Sequence, residues 1–118
     1  MKIFIVRKSY RTQYHKPLIL ETGDEVIFGE EEKEEKWKGW IWAESEKGKG
    51  WAPVQIFEFS PDRTIGKVLE NYTAQELDAD VGDEVIIKKS LNGWSWAENL
   101  RSKKEGWIPD EVFENLEF

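Results

Sequence analysis

The chain has 118 residues, no cysteine and a formal net charge of −7. Without cysteine neither a disulfide framework nor a thiolate metal cage is open to it, and the acidic excess argues against a sequence-independent grip on nucleic-acid phosphates. No apolar run is long enough for a signal-peptide core or a membrane span, which points to a cytoplasmic protein without membrane contact.

Residues 3–7 (Ile-Phe-Ile-Val-Arg) are β-branched and aromatic and predict a first strand. Ser9 to Thr22 is a long loop carrying Tyr10, Tyr14, His15 and Pro17, with Leu18 and Leu20 alternating near its end. Gly23-Asp24 is a turn and Glu25 to Phe28 a second strand. The charged run Glu30 to Lys36 has no apolar face, and between two strands it is expected to be a solvated loop. Trp40 to Glu44 is a third strand, Lys47-Gly48-Lys49 a tight turn, and Gly50 to Ala52 a fourth strand. Pro53 ends that strand because it cannot donate to a ladder. Val54 to Ile56 is one helical turn, and Phe57 to Phe59 a short last strand.

Ser60-Pro61-Asp62-Arg63 carries turn-forming residues and marks a break. The order then replays: strand 67–71, loop 72–81, turn Gly82-Asp83, strand 84–88, turn Leu91-Asn92-Gly93, strand 94–98, turn 102–105 and strand 106–108. A helical turn, Pro109 to Val112, and a final strand, Phe113 to Leu116, close it.

The replay is visible in the letters. Gly39-Trp40-Ile41-Trp42-Ala43-Glu44 recurs as Gly93-Trp94-Ser95-Trp96-Ala97-Glu98, and Gly50-Trp51-Ala52-Pro53 as Gly106-Trp107-Ile108-Pro109. Tyr10 matches Tyr72 at an offset of 62, and Gly23 to Ile27 match Gly82 to Ile86 at 59. The offset changes only between motifs, so insertions fall in loops. The expected division is therefore a first domain over 1–59, a linker over 60–66 and a second domain over 67–118. Such halves have small cores, and the seven tryptophans supply the buried area that each needs.

Period-2 alternation puts Trp94 and Trp96 on one face of the third strand and Ser95 and Ala97 on the other. Small Ala97 should face the core, opposite Ile108. Trp96 should meet Trp107 across strands on the outer face, as Trp42 should meet Trp51, each pair contributing about 0.5–1 kcal/mol beyond Ala–Ala. By halves the charge is uneven. Residues 1–59 carry 10 basic and 11 acidic groups, whereas residues 60–118 carry 7 and 13, so the second half is the expected dock for a cationic partner.

The order of these elements resembles the SH3 domain, twice. The carrying residues are Tyr72, Leu77 with Gly82-Asp83, Trp94-x-x-Ala97 and Gly106-Trp107-Ile108-Pro109 with Val112 in one copy. In the other they are Tyr10, Leu18 with Gly23-Asp24, Trp40-x-x-Ala43 and Gly50-Trp51-Ala52-Pro53 with Ile56. The Gly-Trp-x-Trp form looks like the variant SH3 domains of prokaryotic proteins. The resemblance implies an all-β fold of two SH3-like, five-stranded, partly open barrels in tandem. It also implies an aromatic groove for an extended, often Pro-rich segment, with an acidic loop accepting a ligand Arg or Lys.

Carried over residue by residue, the groove is Tyr72, Glu76, Asp78, Trp94 and Pro109 in the second copy, and Tyr10, Trp40 and Pro53 in the first. The second Tyr of the family's first motif is Glu70 or Lys8 here, and the late Tyr is Val112 or Ile56. The first copy has Arg11, His15 and Lys16 where acids are expected. The second copy is thus the expected binding half.

Nothing points to catalysis, a metal or a cofactor. His15 is a lone histidine, and Glu44 and Glu98 recur at one repeat position, as structural residues do. The sequence therefore supports a non-enzymatic interaction module for a protein or peptide partner. The alternatives are an assembly protein whose barrels pack or oligomerise through tryptophan faces, and a cell-wall-binding module, which the absent signal sequence disfavours.

Overall fold

A computed structural model describes residues 3–13 and 16–113 of the chain. The expectations for His15, and for a strand over 114–116, lie outside the described residues. Eleven strands are described: β1 (Ile3–Ile5), β2 (Ile19–Leu20), β3 (Glu25–Glu31), β4 (Trp40–Ser45), β5 (Gly48–Pro53), β6 (Phe57–Phe59), β7 (Ile65–Val68), β8 (Tyr72–Thr73), β9 (Glu84–Leu91), β10 (Trp94–Asn99) and β11 (Glu105–Pro109). Single 3-10 turns follow β5 and β11, over Val54–Ile56 and Asp110–Val112, as the prolines closing those strands foretell. A third such turn, Glu35–Trp37, begins at the end of the expected solvated loop, and β3 runs into that loop as far as Glu31.

The fold is all-β and comprises two compact barrel units, but they are not the two halves of the sequence. One is contiguous, Lys16–Ala74; the other joins Met1–His15 to Gln75–Phe118. The expected domains 1–59 and 67–118 are each divided between these units. The expected linker over 60–66 lies inside one of them. Ser60 to Thr64 turns a hairpin between β6 and β7, with the Asp62 carboxylate accepting hydrogen bonds from the Ser60 hydroxyl (2.8 Å) and from the Thr64 amide (3.1 Å) and hydroxyl (2.8 Å).

In the contiguous unit the five-stranded sheet runs β5-β4-β3-β7-β6, and β2 pairs with β8. Val26 and Phe28 point inward from β3 onto Leu18, Leu20, Ile41, Ile56, Phe57 and Val68. β7, the first strand of the second sequence copy, completes this barrel with the register Glu25↔Lys67, Val26↔Gly66, Ile27↔Ile65. The discontinuous unit has the order β1-β9-β10-β11. There β1, the first strand of the first copy, takes the equivalent place, with Phe4↔Val85 and Ile5↔Glu84. Its core is Val6, Leu77, Ala79, Val85, Ala97, Ile108, Val112 and Phe113. The copies have exchanged their first strands.

The tryptophan register is as the alternation requires. Trp96 stands across from Trp107 and Trp42 across from Trp51, edge to face at 5.6 and 5.4 Å. Ala97 and Ile108 are both fully buried, but the residue across from Ile108 is Ser95, and Gly106 stands across from Ala97. Trp107 is buried rather than outward: on the edge of β11 away from β10 its backbone bonds to the 75–77 segment. The Trp107 amide donates to the Gln75 carbonyl at 2.9 Å and the Leu77 amide to the Trp107 carbonyl at 2.8 Å. Gly106 permits this approach, since a Cβ there would lie 2.6 Å from the Glu76 carbonyl carbon.

The Gly-Asp turns carry a recurring polar clamp. Asp83, buried, accepts two bonds from Arg101 (Nε to Oδ1, 2.8 Å; Nη2 to Oδ2, 2.9 Å), one from Asn99 (2.9 Å) and one from the Asp80 amide (2.8 Å). At the matching positions Asp24 accepts from Lys47 (2.8 Å) and the Glu21 amide (2.9 Å). The Arg101 guanidinium and the Asp80 amide hold the Asp83 carboxyl well below the usual carboxylate range. A depressed folded-state pKa stabilises the fold above the unfolded value of about 3.9 and ceases to do so as the pH falls through the folded one. Asp83→Asn is therefore expected to cost about 2 kcal/mol at pH 7 and progressively less below about pH 4. Urea midpoints of both proteins at pH 7 and at about pH 2.5 check this, and an equal difference at both would refute the assignment.

Candidate functional site

The strand exchange decides which aromatic side chains meet. After β1, the Tyr10 amide donates to the Ala79 carbonyl (2.8 Å) and the Ala79 amide to the Tyr10 carbonyl (3.0 Å). This bridge holds Tyr10 against the segment that leads into β9. Its ring meets Trp94 edge to face, with centroids 6.0 Å apart and planes at 86°. Its hydroxyl donates to Glu76 Oε1 at 2.6 Å. Trp94 opens β10 directly across from the buried Pro109. Tyr10, Trp94 and Glu76 are each partly exposed, so they form an open aromatic ledge with a carboxylate at its edge.

Tyr72, expected beside Trp94, is in the contiguous unit. Its hydroxyl donates to the Trp51 carbonyl at 3.4 Å, and its ring packs on that unit's core. The tyrosines have thus changed places with their strands. Glu76, Trp94 and Pro109 stay together, and Tyr10 joins them. Of the first-copy set, Trp40 and Pro53 are buried in the contiguous unit, and Tyr10 belongs to the other unit.

The acidic loop is divided by the same exchange. Arg11, from the first copy, pairs with Asp80 and donates to the carbonyls of Tyr10 (2.9 Å) and Ala79 (3.0 Å). Arg101 reaches Asp80 from the other side at 3.3 Å. Asp80 is thereby neutralised within the fold. Asp78 is exposed, and its carboxylate accepts the Thr12 amide at 2.8 Å. Among the described residues Asp78 and Glu76 carry no ion pair, and they can meet a cation near the ledge. Alternation and spacing within one copy reveal nothing of Arg11 and Tyr10 here, because both arrive on the other copy's strand.

Such a ledge beside two carboxylates suits an extended segment with flat apolar residues and a nearby Lys or Arg. Among the described residues no group of three or more His, Cys, Asp or Glu is placed to hold a metal ion. No helix among them is long and apolar enough to cross a membrane.

Residues 3–59 match the variant SH3 domain. The match covers the first sequence copy, from β1 to the end of β6, and so takes one strand from the discontinuous unit and five from the contiguous one. Neither a curated protein nor a solved structure matches the chain. An SH3-like domain is in general a protein-interaction module, and SH3 grooves are aromatic-lined. The Tyr10–Trp94 ledge has that character in the discontinuous unit. The buried Trp40 lacks the exposure a groove tryptophan needs.

Proposed function

We propose that the chain is a non-enzymatic interaction module that binds an extended protein segment on the ledge of Tyr10 and Trp94. Pro109 backs the ledge, and Glu76 and Asp78 receive a Lys or Arg of the ligand. One observation carries this reading: Trp94 is partly exposed, with Tyr10 edge-on to it and the Tyr10 hydroxyl on a carboxylate. A flat apolar surface and an adjacent charge favour Pro-rich or cationic segments alike, because aromatic faces attract both proline rings and cations.

The test uses the intact chain, an array of Pro-rich peptides with and without a flanking Arg, and calorimetry on those that bind. Trp94→Ala is expected to weaken binding at least about tenfold, as truncating a central aromatic contact does. Tyr10→Phe loses the hydroxyl bond to Glu76 and is expected to weaken only the Arg-bearing peptides. Tyr72→Phe leaves binding unchanged, since Tyr72 is in the other unit. Unchanged binding with Trp94→Ala, or a loss with Tyr72→Phe, moves the site elsewhere.

A further inference from the structure

The contiguous unit carries a second surface, on the face of its sheet opposite the core. Along β3, Val26 and Phe28 turn inward and Glu25 and Ile27 outward. Cross-strand partners share a face, so Ile27 stands beside Ile65 of β7 and Glu44 of β4, while Lys67 stands between Glu25 and Glu58. Ile27 is 60% exposed and Ile65 54%. They floor an open groove of about 760 Å³, with Glu25, Glu44, Glu46 and Glu58 around them. None of these four carboxylates has a hydrogen-bond or ion-pair partner among the described residues. Lys67, and Lys49 across from Glu44, leave this face net −2.

The other unit shows what a self-sufficient version of this face looks like. Ile3 is paired with Ile86 there, and Ile5 with Glu84. Lys88 binds Glu98 at 3.5 Å and Glu105 at 3.1 Å, so the cation is built in. At the repeat position of Lys88 the contiguous unit has Gly29. Its carboxylates are left for a cation from outside.

We propose that this face docks an extended cationic protein segment. It would lie across β3 and β7, its apolar side chains on Ile27 and Ile65 and its Lys or Arg side chains on the four glutamates. Charge complementarity selects this occupant. A second copy brings a net charge of −7, and residues 16–74 alone carry 8 basic and 13 acidic groups. The open shape suits a strand-like segment better than a small molecule, which needs enclosure. The surface is distinct from the Tyr10–Trp94 ledge and stands whether or not that ledge binds.

The experiment is an NMR titration of the intact, 15N-labelled chain. The probes are an octapeptide of alternating Lys and Val and its counterpart of alternating Glu and Val. The Lys peptide is expected to shift the amides of residues 25–27, 44–46, 58 and 65–67, more strongly at about 30 mM than at about 300 mM salt. The Glu peptide is expected to shift none of them. Ile27→Thr with Ile65→Thr keeps strand propensity and should weaken binding about tenfold. Glu25→Gln with Glu58→Gln should weaken it comparably and flatten the salt dependence. Three results would overturn the proposal: equal response to the Glu peptide, shifts confined to Tyr10, Trp94 and Glu76, or shifts on this face that grow with protein concentration in the absence of peptide. The last would assign the face to a second copy.

Discussion

Gly66→Phe is expected to unfold the contiguous unit, at a cost of at least about 3 kcal/mol, which is most of what a domain of under sixty residues has. Gly66 lies in β7 across from Val26 and Phe59. A Cβ there would be 2.5 Å from the Glu58 carbonyl oxygen and 2.7 and 2.9 Å from atoms of the Phe28 ring. That ring cannot retreat. It stacks on Phe59 at 4.6 Å and meets Phe57 edge to face at 4.9 Å, and Arg63 covers Phe59 at 4.2 Å. A whole benzyl group has no place to go except by parting β6 from β7. Gly66→Ala is expected to cost less, in proportion to one methyl. Thermal melts of the three proteins followed by circular dichroism check the order, and a wild-type midpoint for Gly66→Phe would refute the packing account.

The same position explains why the two copies exchange first strands. At the offset of 62 that relates Tyr10 to Tyr72, Gly66 corresponds to Phe4. In the discontinuous unit Phe4 stands across from Val85 and packs on Phe113 at 5.5 Å. The residue there that corresponds to Phe28 is Ile87, which leaves room for a second ring. A barrel built from residues 1–59 alone would set Phe4 over Val26, in the space the Phe28 ring fills. One built from 60–118 would set Gly66 beside Phe113 and leave a void, which costs stability as an overfilled core does. Each first strand therefore fits the barrel of the other copy.

Much of this was legible from alternation and turn chemistry. The Trp42–Trp51 and Trp96–Trp107 pairs, the buried Ala97 and the helical turns after Pro53 and Pro109 follow from local spacing, and local spacing is what a sequence displays. Which sheet a strand joins is not local. Ile3 to Val6 and Ile65 to Val68 have equivalent patterns, so alternation assigns each a face but not a partner. Of the two letters that differ, Phe4 against Gly66 and Ile5 against Lys67, the first decides the partner, through which neighbour leaves space for a ring. The site inherited the same ambiguity. Trp94, Pro109 and Glu76 lie within one copy on the same side of the exchange and are in one unit, whereas Tyr72 and Tyr10 go with their strands. So did the charge. Counted by unit the contiguous barrel has a net −5 and the other −2, so the acidic excess expected in the second half of the sequence belongs to Lys16–Ala74.

If the exchange is set by packing, cutting the chain should reveal it. Residues 16–74 contain every member of one core, from Leu18 through Val68, and every strand of the five-stranded sheet. They also keep the bonds that tie β7 down. The Gly23 amide donates to the Val68 carbonyl (2.7 Å), the Val68 amide to Asp24 (2.9 Å), the Leu69 amide to Ile56 (2.7 Å) and the Phe28 amide to Thr64 (2.9 Å). Residues 1–59 lack all four donor–acceptor pairs and offer Phe4 in place of Gly66. The fragment 16–74 is thus expected to unfold cooperatively on heating and to give a dispersed amide spectrum. The fragment 1–59, although it spans the match to the variant SH3 domain, should show no transition or one at least about 10 °C lower, as a loss of some 2–3 kcal/mol dictates for a domain of this size. Phe4→Gly in the 1–59 fragment removes the obstructing ring and should recover part of that difference. If 1–59 instead melted as high as 16–74 and Phe4→Gly destabilised it, each copy would be closing its own barrel, and Tyr72 rather than Tyr10 would stand beside Trp94.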